Sequence, residues 1–202
     1  MEVNSLTGRG AKLKSSREEH ILHVSGKLFL EKGYAATSIT DICKAAQINR
    51  PTLYWYFKSK EEIYFSSHIK LIQDLVISFT KKVKCIEHPE ARLNSIIPEF
   101  TRVICKYPEF KSLVQNTPYI SEQYLKKIQQ ASKELFGELK SSIEDLQFQG
   151  RMLNMLNPSW AALFILGMMM WITFWFNFNN KDRVDELANQ VLMFALQGLR
   201  VR

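Results

Sequence analysis

Apolar residues recur at three- and four-residue intervals along almost the whole chain, and this spacing predicts helices throughout. Ile21, Leu22, Leu28 and Phe29 mark a first helix from about Arg17 to Lys32, with Gly33 placed as its C′ stop. Gly26 in its middle is locally unfavourable by up to about 1 kcal/mol, which a close helix crossing would explain. Ser38, with Asp41 three residues on, opens a second helix that ends near Ala46. Asn49 caps a third, and Pro51 falls in its first turn, where a missing N–H costs little. Ser59 and Glu62 form a capping box for a long fourth helix, whose apolar positions Ile63, Ile69, Ile72, Val76, Phe79 and Val83 run toward Cys85; His88-Pro89 ends it. Then come a helix from Ala91 to Lys106, a short element around Glu109 to Gln115, and a long helix from about Tyr119 to Phe148 stopped by Gly150. An apolar helix starts at Pro158. The last, Arg183 to Leu199, is capped by Asp182 and striped by Val184, Leu187, Ala188, Val191, Ala195 and Leu199. No stretch alternates apolar and polar residues as a half-buried strand does, so the expected class is all-α with nine helices.

One helix calls for a membrane test. No charge occurs between Arg151 and Lys181, and residues 160–178, WAALFILGMMMWITFWFNF, approach the roughly 20 residues that span a bilayer. Asn157-Pro158 starts the run as an N-cap and N1 pair would, and Asn177, Asn179 and Asn180 end it. The alternatives are a membrane-inserted helix and one buried by its own domain or by a partner subunit. Neither end carries a dense basic cluster and the next segment is amphipathic, which favours the buried helix.

Residues 37–60, TSITDICKAAQINRPTLYWYFKSK, join two short helical patterns by a break at Gln47-Ile48-Asn49. The second pattern carries Arg50, Thr52, Tyr54, Trp55 and Tyr56 on a segment too short and too polar for a core helix. Charge points the same way. Residues 1–60 hold ten Lys and Arg against five Asp and Glu, whereas the rest of the chain is nearly balanced, so an anionic partner is expected at this end. A recognition helix lies in the major groove with its N-terminal residues near base edges, which makes Arg50, Thr52 and Trp55 candidate readers. Arg50 suits guanine O6 and N7, and the Thr52 methyl or the Pro51 ring suits a thymine methyl. Tyr54 and Tyr56 can donate to phosphate, Thr37, Ser38 and Thr40 open the second helix with groups suited to an anion, and Lys60 adds charge at a helix start. Leu53 and Phe57 are expected in the core, and Tyr54 fits the core as well as DNA. Residues 1–16, with Lys12 and Lys14, read as a flexible basic arm that adds non-specific affinity at most.

Cys43, Cys85 and Cys105 are widely spaced and odd in number, which excludes a disulfide framework. No apolar h-region follows the N-terminal charges, so the cytoplasm is the expected compartment. His20, His23, His68 and His88 lack ligand spacing, so no metal is expected. HExxH, GxSxG, Walker and Rossmann signatures are missing, and no catalytic residue or cofactor is expected.

From Arg17 to Ile69 the chain resembles the DNA-binding domain of TetR-type transcriptional regulators. It keeps in register Leu28-Phe29, Gly33-Tyr34, Thr37-Ser38, Asp41-Ile42, Ala45-Ala46, Leu53-Tyr54, Phe57 and Lys60, and its RPTLYW run is similar to the recognition helix of the tetracycline repressor. Gln47 departs from the glycine common in the turn, and Pro51 from the small residue common in the recognition helix. An αL turn would cost a glutamine more than a glycine.

The resemblance implies a helix-turn-helix domain over residues 17–60 and a ligand-binding and dimerisation domain over 61–202. It implies an inducer cavity in the second, for which the candidates are Phe100, Ile104, Phe110, Leu113, Tyr119, Met168, Trp171, Phe174 and Trp175. Aromatic and methionine stripes serve more often as core than as pocket. A two-fold DNA reader needs a homodimer, and the last two helices offer its surface through Leu163, Leu166, Met170, Val184, Leu187, Val191, Ala195 and Leu199. The expected function is a repressor, released from a palindromic operator on double-stranded DNA by a small hydrophobic molecule. The alternatives are a DNA-binding regulator without such an inducer and a membrane-associated helical protein.

Overall fold

A computed structural model describes residues 4–177 and 183–199, and among these the elements are all helical. They are α1 (Asn4–Lys32), α2 (Ile39–Ala46), α3 (Arg50–Tyr56), α4, α5 (Pro89–Lys106), α6 (Glu109–Asn116), α7 (Glu122–Phe148), α8 (Pro158–Trp175) and α9 (Val184–Gln197). α4 consists of three consecutive pieces, Lys60–Tyr64, a π turn over Phe65–Ile69, and Lys70–Lys84. A 3₁₀ turn, Thr117–Tyr119, follows α6. The nine helices expected are thus present among the described residues; the expected cap Asp182 lies outside them, as do Phe178, Asn179 and Asn180.

Local chemistry accounts for most boundaries. Gly33 stops α1 with φ +82°. α1 itself is longer than expected and starts at Asn4, so part of the segment read as an arm is helical; residues 4–16 contain no proline to prevent it. Asn157 caps α8 by accepting from the Ser159 and Trp160 N–H groups (2.9 and 3.3 Å). His88-Pro89, expected only to end α4, also starts α5, with Pro89 at the tolerant first turn. Gly26 faces the π turn, but a β-carbon there would lie 3.7 Å from His68 Cε1 and from Ser67 Cβ, an ordinary contact, so this crossing does not require glycine.

The π turn has a visible cause. Tyr64, His68, Ile72, Val76 and Thr80 are all buried and spaced by four, a row that would rotate about 40° at each step of a straight α-helix. The wider π repeat takes up the extra residue. Its His68 is buried, stacks on Tyr64 with centroids 4.9 Å apart and meets Phe29 edge-on at 5.9 Å. Nδ1 lies 3.0 Å from Ser67 Oγ, and burial pushes the imidazole pKa down to about 4.

The described residues fall into two compact units, one up to Leu71 together with Ser112–Tyr124, the other from Ile72 to Lys111 and from Leu125 onward. The boundary between these compact units lies within α4 at Leu71, and the first unit includes a segment from far along the chain. Ile21, Phe29, Ile42, Leu53, Phe57, Ile63, Tyr64 and Ile69 form its core. Segment 112–124 is clasped to it in three places. Tyr64 Oη is 3.0 Å from Ser112 Oγ, the Ser121 N–H donates to Glu61 Oε1 at 2.5 Å, and Phe65 stacks on Tyr124 at 4.2 Å.

The second unit packs Phe79 against Phe100 (5.6 Å) and Phe100 edge-on against Phe110 (6.0 Å), beside Val83, Leu93, Ile96, Ile97, Ile104, Leu139 and Ile143. Arg92 and Glu138, both mostly covered, pair across it at 3.4 Å.

Candidate nucleic-acid interface

The interface is built by α2, the turn after it, and α3. A reciprocal capping box opens α2: the Asp41 N–H donates to Ser38 Oγ (3.1 Å) while the Ser38 N–H donates to Asp41 Oδ2 (2.9 Å). The Ser38 hydroxyl also donates to Oδ2 at 2.6 Å, and these bonds hold the Asp41 carboxyl below the usual carboxylate range. α2 ends on Gln47 in the left-handed region, φ 54° and ψ 44°, so glutamine adopts the geometry that favours glycine. The turn closes as the Gln47 N–H donates to Lys44 O and the Ile48 N–H to Cys43 O, at 3.2 and 3.0 Å. Asn49 then caps α3 by accepting from the Thr52 N–H at 2.8 Å.

α3 is anchored on one side by Leu53 and, just past its end, Phe57, both buried. The anchor turns Arg50, Pro51, Tyr54 and Trp55 outward; Tyr54 is 51% and Trp55 63% exposed, which places Tyr54 on the surface rather than in the core. Thr52 and Tyr56 are half-buried at the edge of this face, where Trp55 and Tyr56 meet at right angles, 4.6 Å apart. Arg50 reaches back across the turn, its Nη2 donating to Thr40 Oγ1 at 2.7 Å.

Three expected DNA contacts already have hydrogen-bond partners within the unit. Thr37 is buried and donates to Gly33 O (2.8 Å) and Leu28 O (3.3 Å), so its hydroxyl ties the end of α1 to the start of α2. Lys60 Nζ donates to Tyr34 O and Thr37 O, at 2.9 and 3.0 Å, and sits 4.3 Å above the Tyr34 ring. Burial lowers its pKa. Ser38 is engaged by Asp41. Thr37 and Lys60 thus spend their polar groups within the unit, whereas Ser38 stays exposed with its hydroxyl shared with Asp41.

The expected effector and dimer residues are also redistributed. Phe100, Ile104 and Phe110 are buried in the core of the second unit, while Leu113 and Tyr119 belong to the first. Met168 lines both of two open grooves along α8 and α9. The larger, about 850 Å³, runs past Trp160, Phe164, Phe194 and Leu199; the smaller, about 530 Å³, includes Trp171 and Trp175. Phe174 packs against Trp171 with the rings tilted by 40° and their centroids 4.8 Å apart. Of the nine pocket candidates, Met168, Trp171 and Trp175 line these grooves and the other six line neither.

On the proposed dimer surface, Leu163 is exposed and Leu166, Met170, Val184 and Leu187 are half-buried, but Val191, Ala195 and Leu199 turn into the protomer's own core. The outward residues that the sequence reading missed are Trp160, Phe164, Trp171, Trp175, Met193 and Phe194. The α8 members step by four, seven and four, a one-sided helical stripe that was readable in the sequence. α8 is long and apolar enough to cross a membrane, and only 28% of it is buried within the protomer.

Known proteins bear on this arrangement. Residues 21–66 match the family described as "Bacterial regulatory proteins, tetR family", and residues 87–199 match "Tetracyclin repressor-like, C-terminal domain". The HTH-type transcriptional repressor KstR2 of Rhodococcus jostii is 27% identical over 195 residues, covering 92% of each chain. The crystal structure of the TetR-family regulator PfmR from Thermus thermophilus superimposes with TM-score 0.77 at 26% identity, over 90% of this chain and 99% of PfmR. That of AibR, in complex with isovaleryl coenzyme A and operator DNA, does so with TM-score 0.77 at 21% identity, over 88% and 97%. With the C-terminal match alone spanning more than half of its residues, the chain belongs to the TetR family of transcriptional regulators.

Proposed function

We propose that the chain is a ligand-responsive repressor that holds a palindromic operator as a homodimer in the cytoplasm and is released by a small hydrophobic effector. The observation that carries the DNA half is the outward face of α3, where Arg50, Pro51, Tyr54 and Trp55 stand clear of a buried anchor. Arg50, Pro51, Thr52 and Trp55 read base edges, while Tyr54 and Tyr56 donate to phosphates and set register.

A two-fold dimer carries two such faces about 34–36 Å apart, one turn of DNA. The exposed apolar stripe of α8 with Met193 and Phe194 of α9 supports pairing with a second copy, which also gives the charge-free helix a cover without a membrane. Effector binding in the second unit favours a state with the wrong spacing of the two faces, and a preference of several kcal/mol is needed to clear the operator. Small hydrophobic molecules are screened beside acyl-coenzyme A thioesters, whose acyl end is apolar but whose coenzyme A end is large and anionic, because the similarly folded AibR carries one together with its operator DNA.

Selection of tight binders from random duplexes at physiological salt is expected to return a near-palindrome, and Arg50→Ala to lose about 1–3 kcal/mol of discrimination at one position of each half-site. A selection that enriches no palindrome would sink the repressor reading. Small hydrophobic molecules and acyl-coenzyme A thioesters of graded chain length, scored by release of that DNA, then test the effector.

A further inference from the structure

Thr40 and Arg50 lie ten residues apart in sequence, each in the first turn of its helix, and their side chains meet over the turn between α2 and α3. We propose that Thr40 is a positioning residue for base readout, its hydroxyl holding the Arg50 guanidinium in one orientation before DNA arrives. The inference rests on the assignment of α3 to the major groove.

The geometry gives Arg50 a fixed seat. Nη2 donates to Thr40 Oγ1 at 2.7 Å, a short bond for a charged nitrogen on a neutral oxygen. In this position the Arg50 charge partly offsets the rise that burial gives the Cys43 thiol pKa. The nearby acid does not compete for it: the Asp41 carboxylate accepts from Ser38 and pairs with Lys32 at 3.7 Å.

A guanidinium carries five N–H donors in a planar fork. One spent on Thr40 leaves four, enough for the two parallel bonds that guanine O6 and N7 require. An exposed arginine samples many rotamers and loses that freedom on binding, so a seat made in advance lowers the loss for the one base pair that fits the seated fork. Thr40 thereby acts on sequence preference through Arg50, with no base contact of its own.

The test uses the full chain and the operator recovered by selection. Affinities are measured at one salt concentration for duplexes carrying each of the four base pairs at every half-site position. Arg50→Ala should flatten discrimination at one position, by about 5- to 150-fold. Thr40→Val, which keeps the branched shape and removes the acceptor, should lower discrimination at that position by about 3- to 10-fold and leave the others unchanged. Thr40→Ser should retain it, and in the Arg50→Ala background Thr40→Val should change nothing further there.

A Thr40→Val variant that weakens every sequence equally would make Thr40 a phosphate contact and overturn the proposal while leaving α3 as the reading helix. Loss of discrimination by Thr40→Val in the Arg50→Ala background would overturn it too. Selection of no preferred sequence by the unmodified chain would remove the groove assignment, and the positioning role with it.

Discussion

α3 and α8 both hold tryptophan out to solvent, Trp55 at 63% exposed and Trp160, Trp171 and Trp175 at 60 to 77%, yet the two helices invite different partners. Trp55 stands among an arginine, a threonine and two tyrosines on a seven-residue helix with donors on every side. The α8 tryptophans stand among leucine, phenylalanine and methionine on an eighteen-residue helix without a single charge. An aromatic ring is apolar with a polar tip, and its neighbours decide which end matters. Donors around it suit a polyanion whose bases stack and whose phosphates accept; methyl groups around it suit only another dry surface. Exposure alone therefore says little, and the chemistry within one helical turn says most. As a TetR-family regulator, the chain acts through binding to DNA and not through catalysis.

The largest expected effect comes from putting a charge on the dry face. Phe164→Lys alters a side chain already 68% exposed, so the protomer keeps its fold, but a buried unpaired ammonium should weaken self-association by about 3 kcal/mol or more, read by sedimentation. Trp55→Ala should leave association alone and weaken DNA binding. The two faces would have to exchange roles if Phe164→Lys changed base preference and Trp55→Ala changed the oligomer.

The units should also part company in acid. The folded His68 imidazole titrates near 4, whereas an unfolded histidine titrates near 6.5, so the unfolded chain takes up its proton first. Its contribution is intact above about pH 6.5 and lost as the pH falls toward 4, with about 2 kcal/mol gone between pH 7.5 and 5. Denaturant unfolding of His68→Phe should show a correspondingly flatter pH profile, with the difference confined to hydrogen exchange in the first unit. An unchanged slope would mean that the ring reaches solvent.

The smallest effect lies in the turn. Gln47→Gly should stabilise the reading unit by about 1 kcal/mol or less, since the left-handed backbone suits glycine but glycine loses more freedom on folding. A fall in melting temperature would contradict that sign.

The helix-turn-helix was legible because its signals are local. Ser38, Asp41, Asn49 and Ser59 each cap within three residues of themselves, so sequence spacing alone finds them. The Ser59 box is only half made, for Glu62 Oε2 accepts from the Lys58 N–H instead of reaching back to Ser59. The fate of Lys60 and Thr37 was not legible. Their partners are carbonyls more than twenty residues away for Lys60 and the end of α1 for Thr37, and a side chain's spacing does not reveal which distant carbonyl it will reach. The clasp of residues 112–124 on the first unit escaped for the same reason. In the second unit the aromatic stripes were visible, but Phe100 and Trp171 look alike in sequence, and only packing separates the core ring from the exposed one.

The π turn at Phe65–Ile69 amounts to an α-helix that has swallowed one residue more than its turns need. A helix with such a surplus can give the residue back. Loss of one of Ser66 or Ser67 would convert the bulge to regular α geometry while the flanking stretches keep their facing, whereas a deletion elsewhere in α4 would swing every later side chain about 100° around the axis. α4 thus carries, at this turn, a built-in allowance for a change of length by one residue.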